Sequence, residues 1–142
     1  MRDIVHNLGL VTAIAPAVYA ADNAPVVVDL LGFNQAMVAI HVASGGITFT
    51  ASNKVEFVLA HSDDGTTFDP VTDADVQGVS GISGGIIQSL KTAHADPKIY
   101  KIGYVGNRRY IRLLADFSGT HGTGTGIAAT VVKGQPAQKP VA

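Results

Sequence analysis

The residues able to do chemistry in this chain are few and dispersed. Glu56 is the only glutamate, and most aspartates stand beside Gly, Pro, Ser or Asn, where carboxylates serve turns. General acid–base work by paired carboxylates needs two acids converging in one cleft. Asp63, Asp64, Asp69, Asp73 and Asp75 do fall close together, and hard oxygen ligands suit calcium, but their spacing does not fit an EF-hand loop. Turn and capping roles are expected for them. The five histidines, His6, His41, His61, His94 and His121, form no i,i+4 pair, and with no cysteine in the chain no zinc site is expected. His41 is expected within a strand, and His121 in a solvated loop.

Two glycine motifs invite catalytic readings. Gly81-Ile82-Ser83-Gly84-Gly85 has the letters of a nucleophile elbow, which requires a strand before the serine and a helix after it. Its surroundings read as an irregular glycine-rich loop. Gly119 to Gly126 resembles a phosphate-cradling loop but lacks the lysine, and a β-branched run follows it rather than a helix start. A hairpin tip is expected there. The reading is therefore of a non-enzymatic chain with no catalytic residues, no cofactor and no metal.

These residues must be carried by elements that the composition narrows. At 142 residues the chain suits one domain with a core built without disulfides. Hydrophobic residues make up 46% and charged residues 15%, below the usual quarter, so Ala, Gly, Ser and Thr must cover much of the surface. Such a surface is cheap to desolvate against other subunits. The net charge of −1, with Arg108, Arg109 and Arg112 as the only dense basic group, argues against nucleic acid and anionic membranes as partners.

Leu8 to Ala20 is apolar and ends in a sequence resembling a signal-peptidase site. Asp3 offsets Arg2 and Pro16 interrupts the apolar run, so it is read as an N-terminal arm (residues 1–24), too short and broken to span a bilayer. Leu8, Leu10, Val11, Ile14 and Val18 are expected to bury against the domain or a neighbour.

From Val26 onward, short apolar runs alternate with Gly, Asn, Asp and Ser, the all-β pattern. Strands are expected over 26–31, 36–43, 47–51, 55–61, 66–71, 86–92, 98–105, 109–117 and 126–133. Ser44-Gly45-Gly46, Ser62 to Gly65 and Gly106-Asn107 are read as tight turns between them. Val38, Ile40, Phe57, Leu59, Ile111, Leu113 and Phe117 are the expected core, because they alternate at period two. The fold class expected is an all-β, antiparallel β-sandwich of jelly-roll type over residues 25–134, followed by an extended tail, 135–142.

Several segments carry a resemblance: Met1-Arg2-Asp3 with Ala15-Pro16-Ala17, Gly32-Phe33, Val55-Glu56-Phe57 running into His61-Ser62-Asp63-Asp64-Gly65, and Tyr100 to Gly106 leading into Arg109-Tyr110-Ile111-Arg112-Leu113. The ending Gly134-x-Pro136-Ala137-x-x-Pro140-Val141 fits as well, with Gln135 where much of the family has His. Together these resemble a family of small virion proteins of tailed bacteriophages and prophages. The resemblance implies a head decoration, or capsid cement, protein. Such a protein is made in the bacterial host cytoplasm, sits on the virion surface as a homotrimer, and clamps the major capsid protein lattice. A neck or tail component and a carbohydrate- or receptor-binding β-module are the alternatives. Leu8, Leu10, Val11, Ile14, Val18, Arg108, Arg109, His121, Pro136 and Pro140 are the candidate protein-interface residues.

Overall fold

The computed structural model describes residues 3–141; Met1, Arg2 and Ala142, at the ends of the expected arm and tail, lie outside the described residues. Alternation dictates the architecture. Ten strands form: β1 (Gly9–Tyr19), β2 (Val28–Asp29), β3 (Phe33–Val42), β4 (Lys54–Ser62), β5 (Asp69–Pro70), β6 (Val76–Gln77), β7 (Ile86–Leu90), β8 (Lys98–Tyr104), β9 (Tyr110–Ser118) and β10 (Thr125–Pro136). A first antiparallel sheet has the order β1-β10-β3-β8-β6. The second runs β2-β9-β4, with β7 and β5 both on the far side of β4. Leaving out the short β5 and β6, the chain switches sheets at every step except from β4 to β7, which pair within the second sheet, and this is the jelly-roll path. No helix among the described residues is long and apolar enough to cross a membrane.

The core lies between the sheets. Val38, Ile40, Phe57, Leu59, Ile111 and Leu113 are fully enclosed, and Phe117 packs against them at the margin. β3 is central in its sheet, as expected from its two apolar faces.

Several expectations are corrected. The N-terminal segment is no arm beside the domain: Gly9–Tyr19 is an eleven-residue edge strand paired along β10. Its alternation was hidden by register shifts between Thr12 and Ile14 and between Ile14 and Ala17. These put Ala13 and Ile14, adjacent in sequence, both in the core. Pro16, read as a breaker, is tolerated on an edge strand because no ladder partner needs its missing N–H. The tail begins later than expected, since β10 continues to Pro136.

Residues 47–51 form no strand; Phe49 is buried there and stacks on His94. Gly106-Asn107 joins β8 of one sheet to β9 of the other, so it is a corner between sheets and not a hairpin. Ser62 to Gly65 does turn between the paired strands β4 and β5.

β9 is finished by side chains where β2 is too short to pair. Ala115 N donates to Asn23 Oδ1, Asn23 Nδ2 donates to Leu113 O, and Phe117 N donates to Asp22 Oδ1. Asp22 and Asn23 thus stand in for a strand along that edge and satisfy its buried backbone groups.

Candidate functional site

At one end of the sandwich, two loops rise beside the outer face of the first sheet. One, Leu30 to Asn34, leads into β3; the other, Val105 to Arg109, leads out of β8. Between them lies an open groove of about 910 Å³, also lined by Met37, Gln77, Gly103 and Val132 of the sheet and by Leu8. Leu31, 66% exposed, and Val105, 50% exposed, present apolar side chains at its rim.

Asp29 holds this end together. Its carboxylate accepts a two-pronged pair from Arg109, Nε at 2.9 Å and Nη2 at 2.7 Å, and also accepts Leu31 N at 2.9 Å. The Arg109 guanidinium holds the Asp29 carboxyl well down, at about 2. Lys133 Nζ donates to the Asp29 carbonyl and rests 4.5 Å from the centre of the Phe33 ring. Arg108 is likewise engaged, with Asp69 and, at 3.7 Å, Asp63. Both arginines at the groove are therefore already ion-paired, and what the groove offers a partner is a mixed surface, apolar at Leu31 and Val105 and amide at Asn34, Gln35, Gln77, Asn107 and Gln135.

The opposite wall is braced across the two sheets. His61 Nδ1 of β4 lies 3.0 Å from the Tyr104 hydroxyl of β8, which accepts a hydrogen bond from Arg108 N. Burial pushes the His61 pKa down and the Tyr104 pKa up, so the neutral tyrosine donates to the neutral imidazole. Gly106 permits this: a Cβ there would lie 2.5 Å from the Tyr104 hydroxyl.

The remaining acids serve turns. Asp64 accepts Thr66 N and Thr67 N, which hold its carboxyl far below the usual range. Asp75 closes a capping box with Thr72, and Asp73 accepts Gly81 N and Ile82 N. Among the described residues no three His, Cys, Asp or Glu side chains gather as a metal site. Ser83 sits in a loop followed by β7, without the strand–helix context of a nucleophile elbow.

Of the candidate interface residues, the structure brings Leu8, Arg108 and Arg109 together at the groove, with Pro136 beside Phe33 at the end of β10. Pro140 lies in the tail, where Val141 N returns to His6 O. Leu10 is on the outer face of the first sheet, opposite Val132. Ile14 is core and Val11 is half-buried against it, so neither is an interface residue in this fold. Val18 lies near the other end of the sheet.

His121 is also at that far end, and it is not solvated. It is 3% exposed, packs edge-on against Phe117, and bonds through Nε2 to Ser118 O at 2.8 Å. The Phe117 ring, exposed by the end of β9, is what draws it inward. Leu31, Val105 and Asp29 were missed. Leu31 and Val105 each precede a turn glycine, Gly32 and Gly106, and an apolar side chain in that place was the available signal.

Compared with known protein families, curated proteins and solved structures, the chain matches none.

Proposed function

We propose that this chain is a non-enzymatic structural protein of a bacteriophage virion. On this reading it decorates the outer surface of the major capsid protein lattice and cements the head. The observation that carries the reading is the groove between the Leu30 and Val105 loops. It exposes Leu31 and Val105 over a braced, charge-neutralised base, which suits docking of a neighbouring protein segment better than turnover of a small charged substrate. The acids that would have to work in a catalytic site are held in turns and ion pairs. Jelly rolls host capsid proteins, lectins and cupins alike, so fold adds only analogy to this reading. Of the segments that carry the resemblance, Gly103 to Gly106 and Arg109 line the groove.

The test is co-sedimentation of the purified chain with phage heads that lack it, beside immunogold labelling of intact particles. Decoration of the head surface, lowered at least about tenfold in affinity by Leu31→Glu, is the expected result. Label confined to the neck or tail would place the chain in the tail structure instead. Binding unaffected by Leu31→Glu and Val105→Glu would remove the groove from the account.

A further inference from the structure

Among the described residues, every positive φ belongs to a glycine except one: Gln135, at 48°. A Cβ is crowded by its own backbone in that region, so a glutamine there is strained where a glycine is not. Pro136 adds a second conflict, because the residue before a proline favours an extended φ. Pairing on both sides overrides these preferences. Gly134 stands opposite Gln35, Pro136 opposite Phe33, and Ala137 N donates to Gly32 O at 2.8 Å. Packing does not require the glutamine, whose side chain is exposed. A glycine would fit this backbone with less strain, so the side chain itself needs a reason to be there.

Its place supplies one. Alternation from the buried Val131 through Lys133 would turn position 135 to the core side of the sheet. The left-handed φ breaks that alternation at a residue that lines the groove between the Leu30 and Val105 loops. Four more exposed amide side chains line the same groove: Asn34, Gln35, Gln77 and Asn107. They surround the cross-strand row Val132–Met37–Gly103–Gln77, which runs from β10 to β6. Three strand intervals make about 14 Å, the length of roughly four residues of extended chain.

We propose that the groove takes an extended, uncharged segment of a partner polypeptide and reads its backbone through these amides, with Gln135 held in a strained conformation to join them. This rests on the reading of the groove as a docking site, though on no particular partner protein. Each side-chain amide carries both an acceptor and donors, which matches the C=O and N–H of a peptide backbone. Leu31 and Val105 at the rim can take apolar side chains of the segment. The fixed charges that line the groove are Arg108 and Arg109, paired with Asp69 and Asp29, so an entering charge would be desolvated with no free partner.

The aromatic residues argue against a sugar as the occupant. Stacking on a sugar needs an open ring face. Tyr104 is 5% exposed and packs against His61, while Phe33 has Lys133 over its ring and Gly9 close beside it.

Selection from a randomised nonapeptide display library against the full chain tests the proposal, with fluorescence anisotropy on the recovered peptides. Recovered sequences are expected to lack Asp, Glu, Lys and Arg over about four central residues. N-methylation of a central backbone amide and Gln135→Ala are each expected to raise Kd about tenfold. Gln135→Gly is expected to raise Kd alike and also to lift the melting temperature by about 2–4 °C, because the strain leaves with the side chain. Gln135→Ala keeps the strain and is not expected to melt higher. Charged central sequences, binding indifferent to N-methylation, or no recovered peptide would overturn the proposal. So would Gln135 variants that bind as wild type does, or a Gln135→Gly chain that melts no higher. Heads bound through Leu31 but indifferent to Gln135→Ala would break this inference alone. Peptides bound in this way by a chain that ignores heads would break the capsid reading alone.

Discussion

The two sheets bury their inner faces in one core but treat their outer faces in opposite ways. The first sheet shows water a field of Leu, Val, Met, Thr, Ala and Gly with a single lysine in its rows. The second is held by charge. Glu56 of β4 accepts from Lys54 at 2.9 Å and from Lys91 at 3.3 Å, and it stands directly opposite Asp116 of β9. Two pairs further along the same face, past Val58–Leu114, Arg112 lies 4.2 Å from the centre of the Phe68 ring, and Arg108 and Asp69 close the end. Solvated, self-satisfied polar groups resist desolvation, whereas small and apolar ones invite it. With so few charges in the chain, their concentration on one face leaves the other with little that resists desolvation.

The most severe way to break the comparison is to remove what both faces share. Leu113 points inward from β9 and is enclosed by both sheets. Leu113→Ala is expected to lower unfolding stability by ~2–5 kcal/mol, measured by urea denaturation. A cost below ~1 kcal/mol would mean that the two sheets do not share a close-packed core at this layer.

A gentler test acts on the link between the sheets. His61 from the second sheet meets Tyr104 from the first, and burial holds the imidazole pKa below its ordinary 6.5. The sign follows from proton linkage. As pH falls through the unfolded value, the unfolded chain binds a proton that the folded chain refuses. The stability is full above that value and declines as pH drops toward the lowered folded pKa. Melting temperature followed from about pH 8 to about pH 5 is expected to fall more steeply for wild type than for His61→Gln. Parallel curves would show that His61 charges without cost to the fold.

How much of this was legible beforehand depends on whether local spacing carried the information. β3, β4 and β9 were readable because each keeps strict alternation over a half-buried run. β1 was not, because its bulges place Ala13 and Ile14 on the same side and Pro16 mimics a terminator. The groove was half legible. Arg108 and Arg109 were found as a cluster, but their neutralisation by Asp69 and Asp29, far away in sequence, exists only once the sheets pair. Burial of His121 likewise depends on Phe117 reaching it across the end of β9. The apolar outer face could not be read at all, since strand neighbours such as Thr12, Thr130 and Ala39 come from three distant stretches.

The smallest effect expected is on the charged face itself. Glu56 is nearly covered by its neighbours, and its carboxyl is held below the ordinary range, first by the hydrogen bond from Lys54 and then by Lys91. Against that stands Asp116, a like charge directly across the ladder. Cross-strand like charges destabilise, while ion pairs near the surface contribute little because water already solvates both partners. These opposing terms are each below about 1 kcal/mol, so Glu56→Gln is expected to cost no more than ~1 kcal/mol. The more telling reading is its dependence on salt. Screening weakens the Lys54 and Lys91 attraction and the Asp116 repulsion together, so the difference between wild type and Glu56→Gln should shrink between about 0.05 and 1 M NaCl. Urea denaturation at the two concentrations measures it. A cost above ~2 kcal/mol that salt does not alter would make Glu56 a buried, packing-dependent group, and the second face would then be held by its covering and not by its charges.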